Sequence, residues 1–378
     1  MLDLRAPRGV PGGRPPGPAP RSRPRYRPGQ AGSRSARPKA SVLLASRVAD
    51  REFGLVGRLL ESIGVPVARL DAETAAVEGI TVDLDQRAIR IDGRWICPTV
   101  TWIRHFAPQA MPARRGAAQR AFSTDSWQAL GDQFGAICAE TIASSGAGLL
   151  QQLAAARAAG IRVPRTIVST EPIAAAKSLG AGTVIVKALH EHFVEASPGL
   201  LTGVFPEVTD VGAMRRADRP ARIPVVVQEH IGHEAEIRGY YVRGDVLTFS
   251  VSKASPAQPW LEPHAVRARQ VEPPPGVAAA MTALATALSV RYGAFDFLIT
   301  GDEPVFLELN WAGDWRWFET RARARSVTNA VTAMLRDLHR QAVANSFSDR
   351  LQDQGHPGGI DLVTFLAKSG RADPIDKR

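Results

Sequence analysis

Only two cysteines, Cys97 and Cys138, occur in 378 residues, and they lie 41 positions apart. Neither has a second ligand at metal spacing, so a disulfide framework and a cysteine zinc site are both excluded, and a reducing cytoplasm is the expected setting. No window approaches the ~18 consecutive apolar residues of a membrane-spanning helix. No apolar stretch follows the basic start of the chain, so it does not read as a secretory signal. The pattern GxxxxGK[ST] is missing, which excludes P-loop phosphate binding. No Ser-His-Asp or Cys-His arrangement for nucleophilic catalysis stands out either.

What is present begins with charge. The formal net charge is +10, but residues 1–40 carry ten Lys or Arg against the single acid Asp3. The remaining 338 residues are near +1, so a basic nucleic-acid groove spread over them is not expected. Nine of the 28 prolines also fall in residues 1–40, which lack periodic apolar residues. That segment is expected to be a disordered tail, since it cannot bury enough surface to offset its ordering entropy. It is either an arm for a polyanion or an idle extension; nucleic acid enters the expectation only through it.

Apolar runs start at Ser41. Val42–Ala45 reads as a buried strand, the 53–63 segment as a helix with one apolar face, and 65–70 as a returning strand, a βαβ opening. Ile80–Leu84 and Ala88–Ile91 alternate, Asp92-Gly93 signals a turn, and Thr99–Ile103 is another strand. Asp125–Ala143 is expected to be helical and to close an α/β unit over 41–145. A break at 144–148 precedes a helix from Leu149 to Ala159. Then come strand 166–169, helix 171–179, and strand Thr183–Ala188. Strands are expected at 225–229, 236–242 and 246–252, an alanine-rich helix at 276–290, a hairpin over 293–310, and a long helix at 326–343. The fold class is therefore an α/β N-terminal unit followed by α+β, with divisions at 146–225 and 226–345 and a polar tail over 346–378.

The hairpin carries the chemistry. With its centre on Asp302, positions summing to 604 face one another, so Asp296 lies opposite Glu308, and Asn310 shares the face of Glu308. Phe295, Phe297, Ile299, Val305, Leu307 and Leu309 form the opposite, apolar face. Two opposed carboxylates repel unless a positive group lies between them. Oxygen ligands at this spacing suit a hard cation, Mg²⁺ where phosphate is near. The ordinary alternative is an edge hairpin with one acid in water and the other paired to an arginine. Lys187 ends the run "TVIVKA", an apolar setting in which a compact ammonium suits polyphosphate better than bulk water.

The spacing Asp296, Glu308, Asn310, with "FLELNWAGDWRWFE" over 306–319, resembles the metal triad and the end of the ATP-grasp domain in graspetide synthetases. Those ATP-grasp ligases mature ribosomal peptides by forming ester or amide links, and the ribosomal-protein glutamate ligases are allied to them. The likeness covers roughly 145–335, with a weaker likeness back to residue 41. It implies an ATP-grasp fold whose two subdomains grip ATP, with Mg²⁺ on Asp296, Glu308 and Asn310 and phosphate on Lys187. It also implies adenine on the backbone of Glu229 and Ile231, ribose on Glu236, and Arg238 aimed at the transferring phosphoryl group. Lys253 is a further phosphate candidate. Outside the resemblance, Glu236 and Arg238 would pass for a surface ion pair. The 190–205 segment would be a mobile loop over the γ-phosphate, the 41–145 unit would help to bind a leader peptide, and Trp315–Trp317 would line the acceptor side.

One feature departs from that pattern: Gly146-Ala147-Gly148 stands where such proteins carry a second lysine before the helix at Leu149. Three readings stay open. The first is a ligase joining a peptide carboxylate to an amine or hydroxyl through an acyl phosphate. The second is an amino-acid or glutamate ligase acting on a small carboxylate metabolite, and the third is a nucleotide-binding module without turnover. A homo-oligomer is compatible with each.

Overall fold

A computed structural model describes residues 38–108, 111, 116–143, 145–190, 193–197, 200–214 and 223–353. The expected tail therefore lies outside the described residues up to position 37, and strand β1 (Lys39–Ser46) already begins inside it. Asp50 opens α1 (Arg51–Ser62), its carboxylate accepting from the amides of Glu52 and Phe53. The chain continues through β2 (Val67–Asp71), α2 (Ala72–Glu78), β3 (Ile80–Asp83), β4 (Ala88–Ile91), β5 (Arg94–Ile103), α3 (Ala117–Gln133) and β6 (Glu140–Ile142). Strand order is β2-β1-β5-β4-β3, with β6 parallel to the far part of β5. Asp92 and Gly93 both take positive φ, 47° and 71°, as the tight turn between β4 and β5 requires. The helix expected over 125–143 instead starts at Ala117 and stops at Gln133. Glu140–Ile142 leaves it to extend the sheet, a pairing made with residues about forty positions away that local periodicity does not register.

Next come α4 (Leu149–Ala158), β7 (Thr166–Ser169), α5 (Pro172–Leu179) and β8 (Thr183–Ala188). A hairpin of β9 (Phe193–Ser197) and β10 (Leu200–Gly203) follows, then β11 (Glu207–Asp210), α6 (Val211–Met214) and β12 (Val225–Glu229). The 190–205 segment, expected to be a loop, thus contains a two-stranded pair. The main sheet here is antiparallel, ordered β11-β8-β12-β7, with α5 burying Ala175, Ala176 and Leu179 against Val184 and Val227.

The last part holds β13 (Ala235–Val242), β14 (Asp245–Ser252), α7 (Gln258–Leu261), β15 (Arg267–Val271), α8 (Val277–Ala287), β16 (Tyr292–Thr300), β17 (Glu303–Asn310), α9 (Arg316–Ala322) and α10 (Ser326–Asp353). α10 runs past the point where the polar tail was expected to begin; positions 354–378 lie outside the described residues. Strand order is β15-β14-β13-β16-β17, all antiparallel.

Two cores cover the two faces of this sheet. On one face Ile237, Phe295, Phe297, Phe306 and Leu309 pack under α8 and α4. On the other, Tyr240, Phe249 and Tyr292 join Phe53 and Trp102 of the N-terminal unit, Trp315, and Val327, Val331 and Leu335 of α10. The second core is continuous from the first sheet to the last, so the N-terminal unit is packed onto the C-terminal sheet. Part of that second face, toward β12, stays outside the core, and the charged residues gather there.

Candidate functional site

The β16–β17 hairpin places the acids by an irregular route. Its turn is the two residues Gly301-Asp302, Gly301 at φ 59°, so Thr300 pairs with Glu303 and Phe297 with Phe306. Continued regularly, that register would set Asp296 against Leu307 and send Glu308 to the apolar face with Phe295. A bulge between Asp296 and Phe297 absorbs one extra residue on β17, Leu307, and restores Asp296 opposite Glu308 and Ala294 opposite Asn310. The expected facing of the acids is therefore present, but two of the six residues assigned to the apolar face change sides. Phe306 is the one buried with Phe297, while Val305 and Leu307 join Ile231 and Leu298 on the other face.

Asp296, Glu308 and Asn310 come together as expected. The Asn310 amide nitrogen donates to Asp296 Oδ2 at 3.1 Å and lies 3.5 Å from Glu308 Oε1. Two cations flank the acids. Arg238 Nε is 3.1 Å from Asp296 Oδ1, and Lys187 Nζ, reaching over from β8, is 2.7 Å from Glu308 Oε2. The Lys187 side chain is only 9% exposed and that of Glu308 25%, so this pair joins the two sheets at a partly shielded spot. Burial raises the Asp296 carboxyl to about 6, the Glu308 charge adds to the rise, and Arg238 and Lys253 oppose it. Burial pulls the Arg238 guanidinium down, but Asp296, together with Tyr240, Glu308 and Tyr292, outweighs this and holds it above its ordinary value.

Further along the same face, Glu236 accepts from Lys253 Nζ at 2.7 Å and lies 3.3 Å from His233 Nε2. Ile231, Leu298 and Val305, with Leu307 beside them, form an apolar floor next to it. Glu229 ends β12; its amide donates to Arg165 O at 3.0 Å and its side chain accepts from the Arg165 amide at 2.9 Å. The Ile231 carbonyl is contacted by His233 Nδ1 at 3.0 Å. The residues expected for adenine, ribose, phosphate and metal thus line one continuous path from β12 across β13 to the hairpin.

The donor set suits a hard cation. Among the described residues no three His, Cys, Asp or Glu side chains are grouped as a metal site. Two carboxylates and an amide could instead offer oxygen donors of the kind that a hard cation such as Mg²⁺ takes. Turning the Asn310 amide over presents its oxygen in place of the nitrogen that now bridges the acids.

One sequence reading changes, one gains a physical setting, and one residue is new. Trp315, expected on the acceptor side, is 1% exposed and belongs to the core between the units, stacked at 6.1 Å on Trp102. Its indole Nε1 donates to Thr328 Oγ1 rather than facing a substrate. In the 146–148 segment, which lacks the second lysine, Gly146 is closed by packing, since a Cβ there would stand 2.5–2.8 Å from the Trp311 ring, and Trp311 Nε1 donates to Ala147 O at 3.2 Å, while Gly148 has open space around it. Gln152 was missed altogether. It donates to Ala147 O and Leu309 O and accepts from the Leu309 amide, tying α4 to the strand between Glu308 and Asn310. A lone helical glutamine has no pattern by which to be found.

An antiparallel four-stranded sheet and an antiparallel five-stranded sheet, meeting over this charged set, define the ATP-grasp fold, as the sequence led one to expect. Comparison with solved structures agrees. The macrocyclase MdnC from Microcystis aeruginosa MRC, bound with precursor peptide MdnA, superposes with a TM-score of 0.63 at 20% identity, over 78% of this chain and 99% of that one. A RiPP-associated ATP-grasp ligase from Chryseobacterium gregarium, in complex with ADP and a leader and core peptide, gives 0.63 at 18% identity, over 79% and 97%. The ATP-grasp ligase PsnB, complexed with a phosphomimetic variant of its minimal precursor, Mg and ADP, gives 0.58 at 20% identity, over 79% and 99%. At these identities the likeness is one of fold. No model of a protein family and no curated protein matches the sequence.

Proposed function

We propose that the protein is a magnesium- and ATP-dependent ligase that joins a carboxylate to an amine or hydroxyl through an acyl phosphate, with a peptide as substrate. The observation that carries this is Lys187 of one sheet meeting Glu308 of the other, beside Asp296 and Asn310. That arrangement brings a phosphate-binding cation and a hard-cation ligand set to one place between two sheets. The peptide is supported by the fold neighbours, which were solved with precursor peptides.

In this reading Asp296, Glu308 and Asn310 hold Mg²⁺, which when bound neutralises the phosphate oxygens of ATP. Lys187 leaves Glu308 for phosphate. Arg238, anchored by Asp296 and backed by the Phe318 ring at 5.2 Å, keeps a fixed positive charge where negative charge develops on the transferred phosphoryl group. Glu236 takes ribose hydroxyls in exchange for Lys253. The floor of Ile231, Leu298 and Val305 takes the adenine. The work is positioning and charge neutralisation, so no side-chain nucleophile is required. The N-terminal 41–145 unit is the natural place for leader contacts.

The Gly146-Ala147-Gly148 segment, without the second lysine, favours a second reading, nucleotide binding without turnover; at Gly146 the Trp311 ring fills the space that a side chain would need. Phosphate release by the purified protein with ATP, Mg²⁺ and candidate peptides separates the two, with mass spectrometry to detect loss of water from the peptide. Tight ATP binding with neither signal, for any peptide encoded beside the gene, would overturn the ligase reading.

A further inference from the structure

We infer that Glu52 and Arg104, both of the N-terminal unit, are positioning residues for the metal set, acting through the chain segment that leaves Asn310. The inference rests on the reading above that Asp296, Glu308 and Asn310 hold a divalent cation with nucleotide. Neither residue belongs to any pattern in the sequence, and neither lies on the path from β12 to the hairpin.

Arg104, directly after β5, is fully buried. Its Nε donates to Ala312 O at 3.1 Å, its Nη2 meets both Glu52 and Asp314, and its guanidinium lies 4.6 Å from the Trp315 ring centre. Glu52, on α1, turns Oε1 to the amides of Trp315 and Arg316 at 2.7 and 2.6 Å. Those amides stand at the start of α9, so Glu52 caps from another unit a helix whose own sequence offers no capping side chain. Tyr292 and Tyr240 donate their hydroxyls to Gly313 O and Asp314 O. Five consecutive residues, 312–316, thus each have a backbone group held by a buried side chain.

This grip reaches the site by two routes. Backward, Gly313 N donates to Asn310 O at 3.2 Å, and a Cβ on Gly313 would stand 2.3 Å from Ala294 Cβ, so the turn has no slack. Ala294 is the residue paired with Asn310. Forward, α9 carries Phe318 against the Arg238 guanidinium. The segment therefore sets both the amide that bridges the two acids and the arginine anchored on Asp296. Stability alone does not account for it, because apolar side chains of similar volume fill a core at least as well as a buried ion cluster does. A fixed direction for the chain after Asn310 is what an ion cluster adds.

The test uses full-length protein carrying Glu52→Gln or Arg104→Lys, which keep size and part of the hydrogen bonding. Each is measured for thermal unfolding, for ADP affinity without metal, and for affinity for Mn²⁺ with ADP, counted by the Mn²⁺ paramagnetic signal. The expected result is metal-free ADP affinity within about twofold of the parent and Mn²⁺ affinity weaker by about tenfold or more, the usual effect of losing a residue that orients metal ligands. Asp314→Asn, whose side chain is 64% exposed, decides the matter if the buried variants do not fold; a weakening of about threefold is expected of it. Unchanged Mn²⁺ affinity in the folded variants, whatever their melting temperatures, overturns the inference. A parent protein that binds no Mn²⁺ with ADP removes the magnesium reading itself, and the inference with it.

Discussion

Two clusters of buried charge lie on one face of the C-terminal sheet, built from the same kinds of group and finished differently. Around Arg104, the acids Glu52, Asp50 and Asp314 surround one arginine, and Arg104 Nε and Glu52 Oε1 are both taken up by backbone of 312–316. Around Asp296, two acids face two cations, and the contacts are side chain to side chain across two sheets. A cluster completed by its own backbone is set once, on folding. One completed by a lysine from another sheet can exchange that lysine for a ligand. The first has the form of scaffold and the second that of a site.

The sharpest way to break that contrast is Glu308→Gln. The amide keeps an acceptor for Lys187, so the fold should survive with a melting temperature within a few degrees of the parent. Turnover of ATP in the presence of a competent peptide should fall by at least about 10³-fold, several kcal/mol of lost charge stabilisation. Retained turnover would mean that these acids hold no metal. The converse is Trp315→Ala in the sealed cluster, where the side chain is 1% exposed, stacked on Trp102 and met edge-on by Tyr292. Urea denaturation should show a loss of about 3–5 kcal/mol. A loss under about 1 kcal/mol would show that the two units are not joined through this core.

A smaller effect is expected of Lys187→Met, which keeps the volume of a nearly buried side chain and deletes its charge. ATP should bind about ten- to a hundredfold more weakly by titration calorimetry, the cost of one shielded cation–phosphate contact. Adenosine, with no phosphate, should bind unchanged. Equal weakening of both ligands would place Lys187 in the packing of the cleft rather than on phosphate.

Much of this was legible in the sequence because acids inside apolar alternation stand out. Asp296 within "FDFLI" and Glu308 within "FLELN" have no structural reason to be there, and their two-residue periodicity shows that they share a face. The route by which they meet was not legible. A turn centred one half-step earlier and a bulge at Leu307 together give the pairing that a regular hairpin centred on Asp302 would give, so the expected facing held while Val305, Phe306 and Leu307 exchanged sides. Nothing local marks a bulge in a run of apolar residues. The sealed cluster was illegible for a different reason. Glu52, Arg104 and Asp314 are separated by up to 262 positions, and each alone is an ordinary surface type. Trp315, set on the acceptor side by the resemblance, was illegible in the same way, since its partner Trp102 lies more than two hundred positions earlier in the chain.

A further effect is expected in the pH response of the sealed cluster. Burial raises the Glu52 carboxyl from 4.5 to about 7, with Arg104 opposing and Asp314 adding to the rise. Between those values the folded protein keeps a proton that the unfolded chain has released, so the folded state binds more protons and stability falls as pH rises. The contribution is whole below about 4.5 and is lost as pH passes 7. In Glu52→Gln it disappears, because an amide has no proton to hold. Asp296, raised to about 6, tilts the curve in the same direction, but it does so in both proteins and cancels in the comparison. Urea unfolding of parent and variant at a series of pH values should therefore converge toward high pH, the parent gaining on the order of 2 kcal/mol relative to the variant as the pH is lowered to about 5. Parallel curves would mean that Glu52 is ionised throughout and held by Arg104 alone. The sealed cluster would then stay charged where the open one, with Asp296 raised to about 6, still titrates, and the two would differ in charge as well as in their hydrogen bonds to backbone.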